Sequence, residues 1–183
     1  MKTTKKKRII IAVCAVALIA VIAVVAIIIK NASGKQFSCD ELNITVSVDF
    51  KEDSNRLKYM SRLSIPSMVL VDDQEYIYVF QDKKTGSSSE SLDQYIEDTR
   101  AAELDSFENV SDIKQGDGFK YFELTSRYLD EHKNETGEKT RSILAFFESE
   151  DKFWMIQIGG PESNFSTRVK TYLKWAKSVG FSE

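Results

Sequence analysis

Hydrophobic and polar positions split the chain into two unequal parts. Ile9 to Ile29 is an uninterrupted apolar run of Ile, Val, Ala and Leu with Cys14 among them. At about 1.5 Å of rise per residue, a helix over this run is about 30 Å long, the hydrocarbon thickness of a bilayer. The pattern therefore predicts one N-terminal transmembrane helix over 9–29, preceded by a basic tail (1–8) and followed by a linker (30–36). From 37 to 183 the apolar positions become periodic, and this stretch reads as one α+β domain.

Within that domain, Asn43 to Phe50 alternates with period two and places Ile44, Val46, Val48 and Phe50 on one face of a half-buried strand. Ser67–Val71 and Tyr76–Gln81 form a predicted hairpin across Asp72-Asp73-Gln74-Glu75. Ser87 and Glu90 fit a capping box that opens a helix with Leu92, Tyr95, Ile96, Thr99 and Ala102 on its apolar stripe. Asp93, Glu97, Arg100 and Glu103 form the opposite, solvated face. A meander follows: Val110–Lys114, a turn at Gly116-Asp117-Gly118, Phe119–Asp130, a polar connection over 131–139, then Thr140–Glu148 and Phe153–Gly159. The last two strands are apolar on both faces, which predicts central positions covered on each side. Pro161 opens a final helix carrying Phe165, Val169, Tyr172, Leu173, Ala176 and Val179, and Gly180 closes it. Layer logic gives an antiparallel β-sheet sandwiched by helices.

Charge sets the orientation. Lys2, Lys5, Lys6, Lys7 and Arg8 precede the apolar run, whereas only Lys30 and Lys35 follow it closely. The positive-inside bias predicts a cytoplasmic N-terminus and an extracytoplasmic C-terminal domain in a cell membrane. The competing reading, a secretory signal cleaved near Ala32-Ser33-Gly34, is disfavoured by the length of the run. All 28 acidic residues and 19 of the 25 basic ones lie beyond Lys30, so the domain carries a formal net charge of −9. Such a surface repels nucleic acid, whose binding needs phosphate neutralisation. The partners expected are the lipid bilayer, through 9–29, and an envelope protein.

The candidate chemistry is sparse. His132 is the sole histidine and lies in a polar connection, with no core to fix its tautomer. Cys39 is the sole cysteine beyond the apolar run, so no disulfide closes within one chain; pairing between two copies and the oligomeric state stay open. One His and one Cys do not make a zinc site. No glycine-rich phosphate loop and no Gly-x-Ser-x-Gly elbow is present. No catalytic residue, cofactor ligand or metal ligand is assigned. The remaining possibilities are carboxylates. Glu41, Asp49, Glu52 and Asp53 flank the first strand, and Asp72, Asp73 and Glu75 crowd the hairpin. A facing pair among them would serve glycoside hydrolysis, and the hairpin trio would offer oxygens to calcium, although no twelve-residue calcium loop is present. Solvated turn residues are the plainer reading. The Asn-x-Ser/Thr triplets at Asn31, Asn43, Asn109, Asn134 and Asn164 matter only on a eukaryotic secretory route.

Five segments carry a family likeness: Leu42-Asn43-Ile44-Thr45-Val46-Ser47-Val48-Asp49-Phe50-Lys51-Glu52, Ser91 to Ile96, Gly118 to Glu123, Phe153 to Ile158, and Phe165 to Phe181. In these the chain resembles the PsbP-like superfamily, which includes DcrB-type bacterial envelope proteins and small membrane-anchored proteins of Gram-positive bacteria. The likeness spans nearly all of the domain as a pattern of core and turn positions, with Val46 and Val48 where a Leu-Pro pair is common and without a lipidated cysteine. It implies a sheet sandwiched between helices. No functional residue transfers, because members of this fold serve unrelated systems. The expected role is a non-enzymatic, membrane-anchored accessory or binding protein. The alternatives are a cell-surface carbohydrate-active hydrolase using paired carboxylates and a small-ligand or cation sensor.

Overall fold

A computed structural model of the chain describes residues 34–53, 66–85, 89–129 and 135–182. The apolar run over 9–29, the basic tail, Ser87, His132 and Asn134 lie outside the described residues. Among those described, no helix is long and apolar enough to cross a membrane.

The elements in chain order are β1 (Lys35–Cys39), β2 (Leu42–Val46), β3 (Lys51–Glu52), β4 (Met68–Val71), β5 (Tyr76–Lys83), α1 (Leu92–Leu104), β6 (Asn109–Val110), β7 (Lys114–Gln115), β8 (Lys120–Leu129), β9 (Glu135–Glu148), β10 (Lys152–Pro161), α2 (Glu162–Lys177) and β11 (Gly180–Phe181). They form two antiparallel sheets. The larger runs β3-β4-β5-β10-β9-β8-β6, with β7 also on β8; the smaller is β1-β2-β11.

β9 and β10 occupy the middle of the large sheet, as their two-faced apolar runs predict. On one face Phe122, Leu124, Leu144, Phe146 and Phe153 pack beneath Tyr95 and Ile96 of α1. On the other, Ile77, Val79, Ile143, Ala145, Trp154 and Ile156 meet Phe165, Tyr172 and Trp175 of α2 together with Phe37, Leu42 and Ile44 of the small sheet. The sheet is thus covered by helices on both sides, but on α2's side a second sheet completes the cover. Tyr121 and Phe122 point to opposite faces, as do Phe146 and Phe147, in line with strand alternation.

Several boundaries differ from the sequence expectation. The linker does not reach residue 36, because β1 begins at Lys35 and buries Phe37 against the core. The first predicted strand ends at Val46. A turn in which Phe50 N–H donates to Ser47 O (3.3 Å) then leaves Val48 exposed and swings Phe50 into the core, edge-on to Trp175 at 5.2 Å. Helix α1 is capped by Ser91, whose side chain accepts from Gln94 N–H, and not by Ser87. Ala102, expected on the buried stripe, is exposed. Glu103, expected in solvent, is half-buried, and burial raises its carboxyl pKa. The polar stretch before Thr140 extends β9, starting at Glu135. Pro161 is the N-cap of α2 and not its first helical residue, and Gly180 begins β11 instead of only ending the helix.

Candidate functional site

A concavity of about 820 Å³ opens among the described residues where three stretches of chain meet: the β4–β5 turn (Asp72–Glu75), the Glu138–Thr140 stretch of β9, and the β10–α2 junction (Pro161–Ser163). Its volume lies within the range of small-molecule sites. The turn is built by Asp72, whose Oδ1 accepts from Gln74 N–H (2.9 Å) and Glu75 N–H (2.6 Å). That hydrogen bonding sends Glu75 inward, to 8 % exposure. There Arg168 of α2 binds it with both arms, Nε to Oε1 at 2.6 Å and Nη2 to Oε2 at 2.5 Å. Tyr172 Oη donates to Oε1 at 2.8 Å. Burial and then the neighbouring carboxylate push the Tyr172 phenol up, and the hydrogen bond to Glu75 raises Arg168.

Tyr76 alternates to the opposite face and forms part of the cleft wall. Burial pushes its phenol up to about 12, against the opposing pull of hydrogen bonds with Thr140, Ser142 and Gln157. The phenol needs the space left by a missing side chain, since a Cβ at Gly159 would lie 2.7 Å from Tyr76 Oη and 2.6 Å from Ser142 Cβ. The neighbouring Gly160 gives Tyr172 Oη the same clearance, 3.1 Å from its would-be Cβ.

The expected carboxylates divide between the two ends of the domain. Asp49 joins Asp72, Asp73 and Glu75 around a second cleft of about 580 Å³ on the other side of the turn, with Lys51 and Arg168. Glu41 lies elsewhere, accepting from Ser149 Oγ and 3.7 Å from Lys152. Glu52 is exposed on β3, and Asp53 N–H donates to Val69 O. Of the hairpin trio, Glu75 is a buried ion-pair partner of α2 and not the solvated turn residue expected. Among the described residues no three His, Cys, Asp or Glu side chains are grouped to hold a metal. The Cys39 thiol is half-buried in β1, and burial followed by Asp40 and Glu52 raises its pKa. A third cleft, about 470 Å³, is lined by Leu92, Phe119, Phe147, Val179 and Phe181 together with Lys120 and Lys177.

Sequence reasoning missed Glu123. It shares the inward face of β8 with Tyr121 and Thr125 and is 8 % exposed. Burial alone would raise its carboxyl, but Lys114 and Arg141 hydrogen-bond to it and together hold it below the ordinary glutamate value. Strand alternation, by placing a charge on the core side, was the signal that could have found it. A depressed folded-state pKa means this carboxylate stabilises the fold above its unfolded pKa and that the contribution is lost as pH falls through the folded value. Denaturant unfolding of the wild type is therefore expected to lose more stability below about pH 4.3, the unperturbed glutamate value, than Glu123→Gln does. Parallel acid slopes for the two proteins would refute the assignment.

The chain matches no family model, and no curated protein sequence is significantly similar to it. Its fold has solved counterparts. CyanoP, the PsbP protein of Synechocystis sp. PCC 6803, superposes with a TM-score of 0.54 at 14 % identity, over 82 % of this chain and 94 % of CyanoP. A Bacteroides thetaiotaomicron protein gives 0.51 at 12 % identity, over 82 % of this chain and 49 % of its own. LpqN of Mycobacterium tuberculosis is looser, with a TM-score of 0.47 at 12 % identity over 82 % and 86 %. The described region therefore has a PsbP-like α+β fold, with a mostly antiparallel sheet and two helices.

Proposed function

We propose that this chain is a single-pass, membrane-anchored accessory or binding protein of the bacterial cell envelope, of the kind found in Gram-positive bacteria. Residues 9–29 lie in the bilayer, the N-terminus is cytoplasmic, and the PsbP-like domain is extracytoplasmic. The carrying observation is the apolar run Ile9–Ile29 behind five basic residues. The domain works by binding and not by catalysis. Glu75, the buried carboxylate beside the 820 Å³ cleft, is held by Arg168 on both oxygens and by the Tyr172 hydroxyl on one, an arrangement that suits a structural ion pair better than a free nucleophile or general base. The cleft between the β4–β5 turn, β9 and the head of α2 is the surface offered to a ligand or envelope partner.

Protease added to intact cells tests the topology. The domain is expected to be digested while the first eight residues stay protected, and the mature chain is expected to retain residues 9–29. A domain that resists protease until the membrane is opened, or a mature chain starting after Ile29, would overturn the reading.

A further inference from the structure

We propose that the outer edge of β1 is a docking strand for a second copy of this chain, the two β1 strands pairing antiparallel about a two-fold axis at Phe37. β1 pairs with β2 in unbroken register from Lys35↔Val46 to Cys39↔Leu42. Among the described residues nothing pairs with its other side. The other strands ending the two sheet paths, β3, β6 and β11, are each two residues long, so β1 is the longest regular terminal strand. Within Lys35–Cys39 it has no proline and no bulge. Its single charge, Lys35, lies with its ammonium 4.4 Å from the Phe37 ring centre.

A second copy fits this edge better than an arbitrary strand. The register centred on Phe37 uses all five residues. It sets Gln36 opposite Ser38 of the second copy, both uncharged and exposed. It sets Lys35 opposite the second copy's Cys39, beside that copy's Asp40, whose carboxylate also holds Lys152 at 2.9 Å, and no two residues of the same charge stand directly opposite within the paired strands. A five-residue strand pair buries less than the roughly 1,000 Å² of a stable interface. The acidic surface also opposes association, although salt screens it beyond about 8 Å. Confinement supplies the difference, because two chains anchored in one bilayer present their β1 strands at high effective concentration, five residues beyond Lys30. To that extent the pairing rests on the anchored reading.

The test uses the full chain reconstituted into vesicles and recovered by flotation, with Cys14→Ala and Cys39→Ser as background. Under mild oxidation, Gln36→Cys with Ser38→Cys is expected to give several-fold more disulfide dimer than either single cysteine variant, because only the double variant places cysteines opposite each other. Without cysteines, Gln36→Lys with Ser38→Lys is expected to abolish energy transfer between labelled copies, and Gln36→Glu with Ser38→Lys to preserve it. Both charge variants lose the same Ser38–Asn43 hydrogen bond and alter only exposed side chains. Equal dimer yields from the double and single cysteine variants, or equal energy transfer from the two charge variants, would overturn the pairing. Failure of the chain to float would overturn the anchored reading instead. The same comparisons would then be made on the concentrated chain in solution, where equal yields again refute the pairing.

Discussion

Trp154→Ala is expected to destabilise the domain by about 4 kcal/mol, the middle of the range for truncating a buried aromatic side chain. Trp154 is fully buried near the start of β10, on the face shared by α2 and the small sheet. Its ring lies 6.0 Å from that of Phe181 in β11, and its Nε1 donates to Ser149 Oγ at 3.2 Å. Ser149 Oγ in turn donates to Glu41 in the β1–β2 turn. One side chain thus ties the large sheet to the small one by packing and by a relayed hydrogen bond. Truncation opens a cavity and breaks the relay together. Trp154→Phe fills most of the volume and loses only the donor, so a cost of about 1–2 kcal/mol is expected. Against a total stability of about 5–15 kcal/mol, the alanine variant gives up a large fraction. Urea unfolding followed by circular dichroism measures both. A loss below about 1.5 kcal/mol for Trp154→Ala would mean that the small sheet is not joined through this residue.

The elements most legible in the sequence are those whose patterns are long or whose turn chemistry is strong. The two-faced apolar runs of β9 and β10 predict their central places, and the Asp72–Glu75 turn predicts the β4–β5 hairpin. The first strand was over-extended because period two continues through Val48 and Phe50, whereas the backbone turns at Ser47 and reuses the same residues differently. β1 was missed because Lys-Gln-Phe-Ser-Cys has one buried side chain and is held by its pairing with β2, a long-range effect that local composition does not encode. Ser87 and Glu90 have the spacing of a capping box, which predicts a helix start four residues before the cap of α1. Ser91 serves instead, with its own acceptor contact to Gln94 N–H. The candidate site was the least legible part. Asp72 and Asp73 read as solvated turn residues, and nothing in the local sequence announces that Glu75 meets Arg168, 93 positions away.

That long-range pair carries the second large effect. Arg168→Met is expected to cost about 3 kcal/mol, the low end for stranding one member of a buried ion pair, because the Arg168 side chain itself is 39 % exposed. Methionine keeps much of the apolar stem, which in Arg168 leads to a guanidinium 5.6 Å from the Trp175 ring centre, so the loss reports mainly on charge. Glu75→Met is expected to be milder, at about 1–2 kcal/mol, because the freed guanidinium reaches water and the main loss is the acceptor of the buried Tyr172 hydroxyl. The double variant, Glu75→Met with Arg168→Met, leaves neither charge behind, retains only the lost Tyr172 acceptor as a cost, and is expected to be no less stable than Glu75→Met alone. The two substitutions are therefore strongly non-additive, and a double-mutant cycle in urea isolates their coupling. Simple additivity would show that the two side chains stabilise the fold independently. The β4–β5 turn would then hold its place through Asp72 and β-sheet pairing alone, and the cleft beside it would not depend on α2 for its shape.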